Sequence, residues 1–134
     1  MNKIEASIAE ARSGDGATLL RLEANKIDLF VLIIEHSVGP YFEIGHRVQA
    51  GFKETSVFLF KHVILKPSYN FFQGTILEIQ TGELFDRYKL DTPMGKIFSI
   101  FPRSITHFSR NESVSVYLPP HDITLWDLTG SPYG

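Results

Sequence analysis

Apolar and polar residues alternate along most of this chain, the signature of strands with one buried face. Ile4, Ala6 and Ile8 alternate with Glu5 and Ser7, predicting a first strand. Ser13-Gly14-Asp15-Gly16 reads as a turn, Thr18 to Leu22 as a second strand, and Asn25-Lys26 as its hairpin turn. Ile27 to Ile34 is rich in β-formers and predicts a third strand, partly buried on both faces. Glu35-His36-Ser37 then predicts entry into a short helix with Ser37 as N-cap, interrupted at Gly39-Pro40. Val48 to Phe52 and Ser56 to Phe60 read as two closing strands around a turn at Lys53-Glu54-Thr55.

The pattern then returns. Ile4-Glu5-Ala6-Ser7-Ile8 parallels Phe72-Gln73-Gly74-Thr75-Ile76, Gly14 parallels Gly82, and Ser37-Val38 parallels Ser104-Ile105. The closing strand Val57-Phe58-Leu59-Phe60 parallels Ile123-Thr124-Leu125-Trp126. A repeat of this kind governs the whole fold reading. It predicts an all-β protein of two tandem OB-like five-stranded β-barrel modules, each with a short helix between its third and fourth strands. Residues 1–62 form the first module, 63–69 a linker, 70–128 the second module and 129–134 a flexible tail. A unit of roughly 60 residues is marginal alone, so fusion or oligomerisation supports it. Barrel closure also removes exposed sheet edges.

Composition narrows the function. Thirteen Lys and Arg stand against fifteen Asp and Glu, a formal charge of −2. That argues against broad nucleic-acid binding, which needs a basic surface. The eleven Phe and five Tyr could stack on single-stranded bases, but their alternation with polar residues is explained by core packing. There is no cysteine, hence no thiolate nucleophile, thiolate metal site or disulfide. The longest apolar run, Leu29 to Ile34, is too short to span a bilayer, and the N-terminus lacks a signal-peptide core. A soluble, cytoplasmic protein is the expectation.

Candidate chemistry is sparse. Lys53-Glu54-Thr55-Ser56 places an ammonium and two hydroxyls at one turn, which suits a small anion, although on composition alone a plain solvated turn is the better account because polar turns are common. The matching turn, Pro119-Pro120-His121-Asp122, has no lysine; its prolines lack N–H groups and its aspartate repels anions. Lys66-Pro67-Ser68-Tyr69-Asn70 offers a second polar cluster at the module boundary. Ser13 to Thr18 superficially suggests a phosphate loop but lacks the Gly-Lys-Ser/Thr ending. The five histidines show no metal-binding spacing. No Ser/His/Asp grouping or carboxylate pair nominates a catalyst, so the reading is a binding protein, not an enzyme.

Taken in order, these motifs resemble the Mop/TOBE (di-Mop-like) family of molybdate- and tungstate-binding modules. Gly45-His46-Arg47-Val48 through Lys53-Glu54-Thr55-Ser56-Val57 resembles that family's glycine-x-x-valine and lysine-x-threonine/serine-x-valine ending. Asn70-Phe71-Phe72-Gln73-Gly74 resembles its asparagine-x-x-x-glycine opening, and Pro119-Pro120 looks like the TOBE version of the ending. The resemblance covers residues 3 to 126. It implies oxyanion binding without chemistry, molybdate or tungstate being the ligand and no organic cofactor being needed. Carried over by position, it implies Lys53, flanked by Thr55 and Ser56, and Asn70 as contacts; Ser68 joins them when a gap of one residue is allowed, and the arginine of the family's serine-x-arginine-asparagine run is missing. The first repeat has no counterpart to that run. The metal would be held as its oxyanion, with no direct protein ligand. The resemblance further implies a homo-oligomer, with a trimer favoured, and a role in storage, buffering or homeostasis. An alternative role is a regulatory or interaction module working with a molybdate transporter ATPase or a transcription regulator.

Overall fold

A computed structural model describes residues 1–34, 43–61, 69–103 and 107–128. Ten strands run in order: β1 Asn2–Gly14, β2 Ala17–Ala24, β3 Ile27–Ile34, β4 Arg47–Phe52, β5 Phe58–Phe60, β6 Phe71–Thr81, β7 Phe85–Thr92, β8 Gly95–Pro102, β9 Ser113–Tyr117 and β10 Thr124–Asp127. Single 3₁₀ turns, Glu54–Ser56 and Pro120–Asp122, precede β5 and β10. The fold is all-β, built from two OB-like five-stranded modules, as the alternation predicts. The helices predicted at Ser37 and Ser104 lie outside the described residues.

Each module is organised by one long bent strand. The first part of β1 pairs with β4 and the remainder with β2, and the register slips between Ile8 and Glu10. In the second module β6 divides in the same way between β9 and β7, slipping between Ile76 and Glu78. Such a bulge bends a strand and re-aims it, letting a five-stranded sheet curl on itself. Tight turns fall where the residues allow them: Asp15 and Asn25 both adopt left-handed φ of 56°, a region that Asp and Asn tolerate well.

The final strand of each repeat is exchanged. One sheet runs β10-β4-β1-β2-β3 and the other β5-β9-β6-β7-β8. Thus β10, from the second repeat, pairs with β4 through Thr124–Gly51 and Leu125–Ala50. Strand β5, from the first repeat, pairs with β9 through Phe58–Tyr117 and Leu59–Val116. Trp126 of β10 lies so close over Gly51 that a Cβ there would meet its ring at 2.3 Å, which explains the glycine. Leu20, Leu22, Leu29, Val48 and Leu125 pack inside one module; Leu59, Ile76, Leu90, Val116 and Leu118 pack inside the other. All belong to one contiguous apolar cluster spanning both. Burial of this kind contributes roughly 25 cal/mol per Å² of apolar surface, so the exchanged leucines tie each repeat to the other's core.

Candidate functional site

The exchange places the Lys53-Glu54-Thr55-Ser56 segment between the barrels. Phe52, the last residue of β4, lies opposite Asn2, and the chain then turns through Glu54–Ser56 into β5 on the second barrel. Lys53 and Thr55 are exposed and Ser56 is largely buried. Among the described residues, none of these three side chains has a hydrogen-bond or ion-pair partner. Their ammonium and hydroxyl groups are therefore uncommitted within that set.

Glu54, in the middle of the segment, is fully committed. Its carboxylate accepts from Arg87 Nε at 2.6 Å and Nη2 at 3.1 Å, a two-point pair between the turn and β7. The Met1 amino group lies 3.7 Å from the same carboxylate. The Arg87 hydrogen bond holds the Glu54 carboxyl below its usual pKa, overcoming the opposing effect of burial. Arg87 in turn lies over the Phe98 ring, 3.8 Å from its centroid. One residue past the turn, the Val57 carbonyl accepts from Ser99 Oγ at 2.6 Å.

Asn70 has a different task from the one its position implies. Its Oδ1 accepts from the Phe30 N–H at 2.7 Å, while Nδ2 donates to the carbonyls of Phe30 at 2.8 Å and Leu118 at 2.9 Å. The side chain is 4% exposed and both amide hydrogens are used, leaving no side-chain donor for a ligand. Through these bonds Asn70 clasps the first barrel to the second. Phe30 lies on β3, a terminal strand of its sheet, and its outward backbone groups require a partner once covered.

The same device occurs at the other end of the repeat. Asn2 accepts from Phe98 N–H and donates to Phe98 carbonyl, both at 2.8 Å. Asn2 is thus the structural counterpart of Asn70 alone; the rest of the serine-x-arginine-asparagine run has no equivalent ahead of it, where only Met1 precedes. Asn2-Lys3-Ile4-Glu5-Ala6 aligns with Asn70-Phe71-Phe72-Gln73-Gly74, so extending the repeat two residues upstream of Ile4 was the signal that could have found it.

These positions sort the expected site residues. Asn70 and Val57 both flank Leu118, on either side of β9. Strand spacing puts Asn70 about 10 Å from Val57, with β9 between them. Lys53 and Thr55 stand beside the opposite clasp, that of Asn2. Ser68, with Lys66 and Pro67, lies outside the described residues. At the second ending, Pro119, Pro120, His121 and Asp122 replace Lys53, Glu54, Thr55 and Ser56, and the corresponding turn packs against β3. His121 lies 3.5 Å from Asp122, so this turn offers an anion no lysine and one carboxylate. No group of three or more His, Cys, Asp or Glu able to hold a metal ion occurs among the described residues. Nor, among them, is any helix long and apolar enough to cross a membrane.

Neither a family model nor a curated protein sequence matches the chain. Among solved structures, the chain is similar to the cytoplasmic molybdate-binding protein ModG, in a crystal form with molybdate bound. The TM-score is 0.81 at 18% sequence identity, covering 98% of this chain and 96% of that one. Over nearly its whole length, this chain has the fold of ModG.

Proposed function

We propose that the chain binds a tetrahedral metal oxyanion, molybdate or tungstate, at the turn carrying Lys53, Thr55 and Ser56. The carrying observation is a cation uncommitted among the described residues at a junction between barrels, with two hydroxyl residues in the same turn and the turn's own carboxylate, Glu54, tied up by Arg87. The likeness in fold to a protein solved with molybdate bound supports the choice of ligand. A fully deprotonated dianion requires donors and no acceptors, which an ammonium and hydroxyls supply. Protonated phosphate also needs an acceptor, so it is disfavoured where the Thr55 and Ser56 hydroxyls are oriented as donors. Ser68, outside the described residues, joins the proposed set on the family resemblance alone, and a second subunit would supply further donors if the chain assembles as a trimer. The second ending lacks the lysine, so one such turn per chain is the working stoichiometry. Binding without catalysis then serves storage, buffering or homeostasis in the cytoplasm.

Calorimetric titration with molybdate, tungstate, sulfate and phosphate tests this reading. Heat is expected with the metal oxyanions, and its absence with both would sink the proposal. Lys53→Ala removes a charge-assisted bond of roughly 1.5–3 kcal/mol, so a tenfold or greater loss of affinity is expected. Unchanged affinity would move the site elsewhere.

A second reading, a contact module for a transporter ATPase or regulator, draws on one surface. Phe58 and Phe60 of the terminal strand β5 are 38% and 43% exposed, and Phe71 stacks on Tyr117 beside them at 4.4 Å. A partner captured with equal strength with and without oxyanion would favour it.

A further inference from the structure

The turn that carries Lys53, Thr55 and Ser56 holds itself in place poorly. Its internal backbone bonds are Ser56 N–H to Lys53 carbonyl at 3.0 Å and a long Val57 N–H to Glu54 carbonyl at 3.4 Å. No side chain caps it. Its closest anchorage comes from the other barrel, through the two-point Glu54–Arg87 pair and the Ser99–Val57 bond, with the Met1 amino group farther off, 3.7 Å from the Glu54 carboxylate. Arg87 is itself fixed, with its guanidinium against Phe98, whose backbone Asn2 clasps on both sides. A continuous chain of contacts therefore runs from Asn2 through Phe98 and Arg87 to Glu54 and the turn.

We infer that Arg87 is a positioning residue for oxyanion binding: held by Phe98 and acting through Glu54, it sets the placement of Lys53, Thr55 and Ser56 without touching the ligand. This rests on the reading of that turn as the oxyanion site. Arg87 is engaged elsewhere: Nε and Nη2 donate to Glu54, Nη1 lies 3.5 Å from Gln80 Oε1, and its face lies on Phe98. The other repeat shows the dependence by contrast. There Leu19 stands in place of Arg87 and Pro120 in place of Glu54, and the ion pair is absent from the ending that also lacks the lysine.

Two effects of losing Arg87 must be separated: a misplaced turn, and an unneutralised Glu54 carboxylate that repels the anion. Glu54→Ala separates them by sign. Repulsion alone gives equal or tighter molybdate binding in that variant, whereas positioning gives binding weakened by roughly fivefold or more, the scale of a lost two-point charged pair. Arg87→Lys keeps the neutralising charge but loses the planar fork, and is expected to weaken binding by about threefold or more. Circular dichroism and Trp126 fluorescence establish that each variant is folded. Amide exchange across residues 53–57, measured without ligand, is expected to accelerate in both variants. If exchange there is unchanged, positioning is refuted whatever the protein binds. If the parent binds molybdate, Lys53→Ala loses it, and both Glu54→Ala and Arg87→Lys bind like the parent, the role of Arg87 is overturned while the site stands. A parent that gives no heat with molybdate or tungstate overturns the site, and with it this role.

Discussion

Replacing Asn70 with alanine tests whether the barrels are held by backbone clasps or merely by apolar contact. The substitution removes three hydrogen bonds, two to Phe30 and one to Leu118. At about 1 kcal/mol net for each, that is about 3 kcal/mol. Asn70 also sits at φ of 60°, where alanine suffers roughly 1–2 kcal/mol of strain that asparagine largely escapes. The expected loss is therefore about 4–5 kcal/mol. Asn2 is the internal control. It makes two such bonds and is not among the positive-φ residues, so Asn2→Ala is expected to lose only about 2 kcal/mol. Asn70→Gly keeps the left-handed backbone unstrained and should fall between them, near 3 kcal/mol. Urea unfolding followed by the single tryptophan and by circular dichroism measures all three. At a slope of roughly 1–3 kcal/mol per molar urea, the Asn70 and Asn2 variants separate by about 0.7–3 M. The reasoning fails if Asn70→Ala stays within about 1 kcal/mol of the parent, or if both alanine variants lose the same amount.

Two further outcomes follow from burial and charge. The Glu54 carboxyl is held below its usual value of 4.5, chiefly by its hydrogen bond to Arg87. Its stabilising share is therefore complete above that value and disappears as pH falls through the lower folded one. The stability gap between parent and Glu54→Gln should stay constant from pH 7 to about 5 and close at lower pH, and parallel urea-midpoint curves down to about pH 2 would contradict the pairing. Leu125, 1% exposed, belongs to the second repeat but packs in the first barrel. Leu125→Ala should destabilise by about 2–5 kcal/mol and speed amide exchange in β4 more than in β9; the reverse order would contradict the exchanged pairing.

Much of the fold was legible because strand alternation is local. Ile27 to Ile34 was predicted with the bounds that β3 has, and Asn25-Lys26 was read as the turn it is. The strand exchange was not legible, because Leu59 and Leu125 sit in equivalent apolar patterns that either barrel could bury. What distinguishes the exchanged partners is long-range: Glu54 meeting Arg87, and Ser99 meeting the Val57 carbonyl. Of the candidate site, residue type marks Lys53, Thr55 and Ser56 as a polar turn, and the family resemblance makes them candidates. Glu54 read as one more residue of a polar turn, yet its carboxylate anchors that turn. Asn70 enters the expected set through the family resemblance, by its place in the serine-x-arginine-asparagine run. Only its geometry shows the amide already spent on backbone groups of the neighbouring barrel, a use that residue type alone does not reveal.

The exchange of closing strands also orders how the molecule can be made. Pairing of Gly51 with Thr124 lies far apart along the chain, and such distant closures form slowly compared with local hairpins. A chain emerging from the ribosome presents β1 to β4 long before β10 exists. The second barrel has its borrowed strand waiting when its own hairpins appear, whereas the first must stand open at β4 until residue 127 is made. The barrel begun first is the one finished last.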